Sequence, residues 1–343
     1  MNVDRFQQLA QRFPALRVGI LGDFCLDRYL EIDPVRTETS IETGLPVHNV
    51  INVRAQPGGA GTILNNLLAL GVGAVHPIGF CGEDGEGYEL LRALASNRAV
   101  HAEGFLQTPA RRTFTYGKPL VLEPGQPPRE LSRLDLKNWT PTPRAVEESL
   151  MASLTRLAPQ LDALIVLDQV DLAETGVVTR AVIEAIRGVA QRDPERLIIA
   201  DSRRGLRDWP PVIFKMNSAE LAALNRVPAT LEPAAVEQMA LSHAQRQDRL
   251  IFVTLAERGM LVATPRGGVE HAPAWPVRGP IDIVGAGDAV TASLAVSLAA
   301  GATPREAIEV ASLAASVVIH QVGTTGAASR EAIAALLAGL PRV

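Results

Sequence analysis

Apolar residues along this chain fall into short unbroken runs, and between the runs they recur every three or four positions. The runs are "LRVGILGD" (16–23), "AVHPIGFCG" (74–82), "ALIVLD" (163–168), "RLIIAD" (196–201), "VIFKMN" (212–217) and "LIFVTL" (250–255). Strands that read as continuous apolar runs are buried on both faces, as in a mainly parallel sheet between helix layers. Helical spacing is found in "AGTILNNLLALG" (60–71), over 87–95, near 175–190 and from Ser218 onward. The opening "MNVDRFQQLAQRFPALRVGI" predicts a short amphipathic helix leading into the first strand. Together these elements predict an α/β fold: a doubly wound, mainly parallel sheet with helices on both faces.

Two stretches break the rhythm. Residues 31–56 and 104–136 carry turn residues and half-polar strands, with Val47, Ile51 and Val53 on one face. They predict a small antiparallel β sheet, built from two excursions, that folds over the end of the parallel sheet as a lid. Residues 1–343 then form one unit with a lid sub-domain. The Pro-rich patch over 124–143 reads as a loop, because strands of one sheet lie on both sides of it, and no internal repeat is present. Exposed lid strands are protected if they pair across a two-fold axis, which predicts a homodimer through the lid.

Composition excludes more than it assigns. With 47% apolar residues, 20% charged residues and a net charge of −4, the chain resembles an ordinary globular enzyme. It has no Lys/Arg run of the kind that neutralises a phosphate backbone, so no nucleic-acid partner is expected. Cys25 and Cys81 are too few for a disulfide framework, and the opening segment lacks the apolar centre of a signal peptide. No segment reaches the roughly 18 uninterrupted apolar residues of a membrane span. The expectation is a cytoplasmic protein with no membrane partner.

Ligands of open α/β sheets bind outside the carboxyl ends of the strands. Asp23, Asp168, Asp201, Asn217 and Thr254 stand at those ends. Any one of them could merely cap a helix, but five in succession point to a polar crevice. In "NSAE", Glu220 falls in the first turn of the helix after Asn217. It either closes a capping box or faces the crevice, where an acid favours hydrated Mg²⁺. The histidines show no zinc-ligand spacing, and no G-x-S-x-G elbow is present.

The stretch "IDIVGAGDAV" (281–290) is the richest in chemistry. A dinucleotide fingerprint would need glycine where Val290 stands, and a Walker loop would need lysine where Asp288 stands. The remaining reading is an anion hole. Backbone N–H groups of Ala286, Gly287 and Asp288 would open a helix, with the positive end of its dipole facing the crevice. Such a cradle suits a phosphoryl group in transfer. The dipole would also keep Asp288 ionised, ready to take a proton from an attacking hydroxyl.

"DIVGAGDAV" resembles the C-terminal signature of the PfkB/ribokinase family of carbohydrate kinases, usually D-T-x-G-A-G-D, with Ile283 in place of the threonine. The rest of the chain agrees in order: "GDFCLDRY" (22–29), "PGGAGTILNNLLALG" (57–71), "GEDGEG" (82–87), "NSAE" (217–220) and "VTLAERG" (253–259). "GDFCLDRYLE", "QPGGAGT" and "LSRLD" (131–135) are most similar to the kinase half of bacterial heptose-phosphate kinase/ADP-heptose synthase proteins. The resemblance implies a ribokinase-like fold and an ATP- and Mg²⁺-dependent kinase acting on a sugar or sugar phosphate.

It also implies roles. Asp288 would be the base, with the backbone of Gly285, Ala286 and Gly287 as the anion hole. Asp27, Gly58 and Gly59 would hold sugar hydroxyls, with Thr62 and Arg133 bordering the same pocket. Asn217 and Glu220 would organise Mg²⁺ and phosphates, Glu220 through water. Thr254, Gly259 and Gly323, with the helix around Ala314 to Val318, would bound the nucleotide. Asp282, with the Val284 backbone and the segment near Gly323, would hold a monovalent cation, K⁺ in this reading. Departures from the family pattern bear on the acceptor. Thr62 stands where asparagine is usual, "DSRRG" (201–205) replaces D-P-K-G so that Arg203 or Arg204 takes the lysine's place, and "DQVDLAETG" (168–176) lacks a tyrosine-lysine-glycine pattern. Two other readings stay open: a non-catalytic sugar- or nucleotide-binding protein, and a nucleoside kinase using Phe105, Phe114 and Tyr116 for stacking.

Overall fold

The computed structural model describes residues 1–230 and 232–339. Among them the larger sheet runs in the order Val269–Ala272, Met260–Ala263, Ile251–Thr254, Ile213–Asn217, Leu197–Ser202, Ala163–Asp168, Arg17–Gly22, Ala74–Gly82, Phe105–Thr108. Pairing is parallel from Ile251–Thr254 to Phe105–Thr108 and antiparallel for the two strands at the other edge. The unbroken apolar runs are explained by the two-residue period of a strand, which sends neighbours to opposite faces. Ile165, Leu167 and Ile199 enter the core under the helices Ala60–Ala69, Ala286–Ala299 and Pro304–Ile319. Leu164, Val166 and Ile198 enter the core under Arg144–Leu157 and Arg180–Arg192. The doubly wound expectation therefore holds. Among the described residues no helix is long and apolar enough to cross a membrane.

The smaller sheet orders Leu134–Leu136, Phe114–Val121, Phe24–Ile32 and Val50–Gly59, with Arg129–Glu130 also pairing with Phe114–Val121. Its pairings are antiparallel apart from the central one, where Phe24–Ile32 runs parallel to Phe114–Val121. Two boundaries differ from the sequence expectation. The first excursion begins at Phe24 rather than at 31, because the chain leaves one sheet and joins the other with only Asp23 between them, and no turn residue marks the passage. Phe105–Thr108 was expected in the lid but is the parallel edge strand of the larger sheet, beside Ala74–Gly82. A half-polar edge strand and a half-polar lid strand have the same pattern, so periodicity cannot separate them.

Asp23 is the joint between the sheets. It is fully buried, and its carboxylate accepts backbone N–H groups of Gln169 (2.9 Å), Val170 (3.0 Å) and Val177 (2.6 Å). Its own carbonyl accepts Ala60 N–H (3.0 Å), where the strand Val50–Gly59 hands over to the helix Ala60–Ala69. Gly59 takes φ 57° there, and a Cβ on it would lie 2.5 Å from the Asp23 carbonyl oxygen, so only glycine fits. Farther along, Arg28 ties the smaller sheet to the helix Gly85–Leu94 through Glu86 (3.3 Å) and Glu89 (3.0 Å).

Candidate active site

Parallel register brings the strand ends level. Leu167 pairs with Asp201, Asp168 with Ser202, and Asn217 with Thr254. Onto this edge the helix Ala286–Ala299 delivers its first turn, with Gly285 as N-cap at φ 83° and Asp288 at the third helical position. The small residues after Asp288 explain the fit, since Ala289, Ala292 and Ala295 are fully buried against the sheet. The anion hole is narrower than expected. Ala286 N–H bonds to the Ile283 carbonyl (3.2 Å), whereas among the described residues Gly287 and Asp288 N–H have no partner. Ala286 is thus a turn donor, and Gly287 and Asp288 are the donors open to an anion.

Asp288 is half-buried, and no hydrogen bond to its carboxylate is found among the described residues. Burial and the negative charge of Asp201 push its carboxyl up to about 7, against the pull of Lys215. The sequence expectation was that the helix dipole would keep it ionised; the raised value shows that lost hydration and Asp201 outweigh the dipole. A carboxyl near neutrality is well matched to taking a proton.

Beneath it lies a buried cluster that the sequence did not reveal. Lys215 Nζ donates to Asp201 Oδ2 (2.7 Å), and a Cβ on Gly287 would lie only 3.2 Å from that ammonium. The Thr291 hydroxyl lies 3.1 Å from Asp201 Oδ2 and 3.0 Å from the Gly287 carbonyl, so its proton serves one of them. Burial works against the Lys215 charge, but Asp201, with Asp288 and Glu220, more than offsets it and the ammonium holds its proton more tightly than usual.

Asn217 and Glu220 form the capping box that was one of their two readings. Asn217 N–H donates to Glu220 Oε2 (2.7 Å) and Glu220 N–H to Asn217 Oδ1 (2.9 Å). Glu220 Oε1 and the Asn217 amide nitrogen make no hydrogen bond among the described residues. Burial, with Asp201 nearby, raises the Glu220 carboxyl, so a cation beside it would be favoured. No group of three or more His, Cys, Asp or Glu able to hold a metal exists among the described residues. This donor set fits Mg²⁺ carried mainly by phosphates and water, not a protein cage.

The two arginines of "DSRRG" separate. Arg204 is committed to Asp168, with bonds of 3.1 and 2.8 Å to Oδ1, and to the Val178 carbonyl (2.9 Å). Arg203 has its backbone held by the Asp168 carbonyl (2.9 Å), and its positive charge is felt at Asp288, Glu220 and Tyr116. Arg203 is therefore the arginine whose side chain makes no hydrogen bond among the described residues and whose charge reaches Asp288 and Glu220.

On the acceptor side Asp27 and Gly58 are brought together, since a Cβ on Gly58 would lie 2.6 Å from Asp27 Oδ1. Lys118, from the neighbouring strand, donates to Asp27 Oδ2 (3.1 Å). Arg133, just before the outer strand Leu134–Leu136, pairs with Asp135 (2.6 Å) and lies over the Tyr116 ring at 4.9 Å. Thr62 was expected to line the pocket but is 2% exposed, its methyl 3.5 Å from the Cβ position of Gly285, so it packs under the helix start. Gly259 closes a hairpin, where a Cβ would lie 2.1 Å from the Ala272 carbonyl oxygen; the turn accounts for this glycine. Asp282 Oδ1 accepts Val284 N–H (3.0 Å), and Gly323 sits at φ 78° in the loop before the last helix. Phe105 stacks edge-on against Phe24 at 5.2 Å and Phe114 is buried beside Phe80, so neither is free to stack on a nucleobase. Lys118, Lys215, Tyr29 and Thr325 were missed. The i, i+2 spacing of Asp27/Tyr29 and Tyr116/Lys118 on adjacent strands was the available signal for two of them.

Residues 173–331 match the pattern described as pfkB family carbohydrate kinase. The bifunctional protein HldE of Hyphomonas neptunium is 33% identical over 342 residues, covering 97% of this chain. The chain spans 66% of that relative's length, just under two thirds. Arabidopsis thaliana ribokinase, solved with ribose and ATP, has a TM-score of 0.67 at 17% identity, covering 94% of this chain and 98% of its own. Escherichia coli phosphofructokinase-2, solved with fructose-6-phosphate, has a TM-score of 0.66 at 17% identity, covering 95% of this chain and 100% of its own. These two likenesses show the fold. Over residues 173–331 the chain thus carries the pfkB family carbohydrate kinase pattern, in agreement with the order of motifs along the sequence and with the ribokinase-like fold.

Proposed function

We propose that this protein is an ATP-dependent, Mg²⁺-requiring kinase that transfers the γ-phosphoryl group to a hydroxyl of a sugar or sugar phosphate. The observation that carries the reading is Asp288, a carboxyl near 7 set directly beside the unpartnered N–H groups of the GAGD helix. Asp27 would orient the acceptor and Asp288 would take its hydroxyl proton. The Gly287 and Asp288 N–H groups would receive the phosphoryl oxygens. Mg²⁺, when bound near Glu220, would neutralise phosphate charge. The smaller sheet would cover the crevice and exclude water as a competing acceptor. Asp282 and the loop at Gly323 would hold K⁺.

The test is acceptor-dependent ADP release with Mg-ATP across sugars, phosphosugars and nucleosides. Release with none of them would favour a binding protein. Arg203→Ala should lower turnover about 10- to 100-fold by removing a cation from the transferring phosphoryl. Arg204→Ala should instead lower the melting temperature, because it leaves Asp168 buried without its partner. Equal turnover losses in both variants would remove the special role of Arg203.

A homodimer through the smaller sheet is part of the proposal. Ile51 and Val53 on its strand Val50–Gly59, and Val35, Ile41 and Leu45 in the connection before that strand, are large apolar side chains left exposed. Ile51→Glu should shift the sedimentation coefficient from dimer to monomer. A monomeric wild type at micromolar concentration would count against the arrangement.

A further inference from the structure

Asp27 is not held by its own strand alone. Lys118 Nζ lies 3.1 Å from Asp27 Oδ2 and 3.4 Å from the Tyr29 hydroxyl. The Tyr29 hydroxyl lies 3.1 Å from Thr325 Oγ1, which in turn lies 3.3 Å from Asp27 Oδ2. When Lys118 donates to Tyr29, Tyr29 to Thr325 and Thr325 to Asp27, each hydroxyl uses its single proton and the ring closes on the carboxylate. Among the described residues Asp27 Oδ1 receives no hydrogen bond, and it rests over Gly58, where there is no side chain to cover it.

Thr325 also reaches in a second direction. Its Cγ2 lies 2.8 Å from where a Cβ on Gly285 would stand, at the residue that opens the GAGD helix. The carbonyl of Thr325 accepts from Gln56 Nε2 (3.4 Å), and Thr324 Oγ1 lies 3.5 Å from Gln56 Oε1. One threonine thus touches the carboxylate of the smaller sheet with its hydroxyl and the start of the anion hole with its methyl.

We propose that Thr325 is a positioning residue: its hydroxyl turns Asp27 so that Oδ1 is presented to the acceptor, and its methyl sets the spacing between that carboxylate and the anion hole. The chemistry of this role rests on the kinase reading above. In-line transfer needs the acceptor oxygen and the phosphoryl group within about 3–3.5 Å, and a misplacement of about 1 Å can cost two orders of magnitude in rate. The carboxylate is carried by the smaller sheet and the anion hole by a helix packed on the larger one, so their spacing needs a common stop, and Thr325 is placed as that stop.

Two variants separate its two contacts. Thr325→Val keeps the methyl and removes the proton, and should raise the acceptor KM about tenfold with kcat near wild type. Thr325→Ser keeps the hydroxyl and removes the methyl, and should lower kcat about tenfold with the acceptor KM near wild type. Equal changes in both variants, or none, would overturn the proposal. Backbone amide exchange reads the same split without turnover: faster exchange over 24–32 in Thr325→Val, and over 284–289 in Thr325→Ser. Unchanged exchange in both segments overturns the positioning role. The kinase reading fails separately, if the wild type releases no ADP with any acceptor.

Discussion

Asp288→Asn is expected to lower turnover about 10²- to 10⁴-fold, roughly 3 to 5 kcal/mol of barrier, while leaving ATP affinity nearly unchanged. The amide keeps the shape of the first helical turn and its N–H donors, so the phosphoryl cradle survives and only the proton acceptor is lost. Because burial and Asp201 place the wild-type carboxyl at about 7, the rate should rise with pH through an acid limb near that value. The limb should vanish in the variant. Near-normal turnover, or an unchanged limb, would remove Asp288 from the mechanism. A second readout follows from linkage. The folded-state carboxyl lies above its unfolded value, so the fold binds this proton more tightly, and the associated stability is lost as pH rises from about 4 to about 7. The melting advantage of the asparagine variant should therefore grow across that window and level off above it.

Asp23→Ala is expected to cost about 3 to 6 kcal/mol of stability, measured by denaturant unfolding, which is a large share of what holds a protein of ordinary stability together. Its carboxylate satisfies backbone N–H groups of Gln169, Val170 and Val177, and the variant would leave these without a protein acceptor. Burial and the nearby Asp168 push the Asp23 carboxyl up to about 6. Asp23→Asn, which retains one acceptor oxygen, should fall between the two. A wild-type unfolding midpoint in the alanine variant would show that water replaces the carboxylate.

Asp23 also shows where the sequence stopped being legible. It was read with Asp168, Asp201, Asn217 and Thr254 as one row of strand-end polar groups, and the register of the strands does bring these ends level. Only part of the row faces the crevice: Asp23 ties down the loop 169–177, and Asp168 is consumed by Arg204. A polar residue ending an apolar run looks the same whether its partners are backbone or ligand. The larger sheet and the GAGD turn were legible because their signals are local, namely apolar runs and glycines beside an acid. The buried Lys215–Asp201 pair, the ring around Asp27 and the edge position of Phe105–Thr108 depend on residues far apart in the chain. No window of one strand or helix contains both partners.

Two of the chain's passages between the sheets run past one point. The strand Arg17–Gly22 continues into Phe24–Ile32 across Asp23, and Val50–Gly59 returns beside it at Gly59. A plate fastened along a single short line can tilt about that line but cannot slide along it. At about 3.3 Å per residue, Asp27 stands roughly 13 Å from the axis and Ile32 roughly 30 Å. Any tilt would sweep the far rim about twice as far as the acceptor carboxylate. The crevice would then open widest at its rim, with Asp27 displaced less than half as far from the GAGD helix.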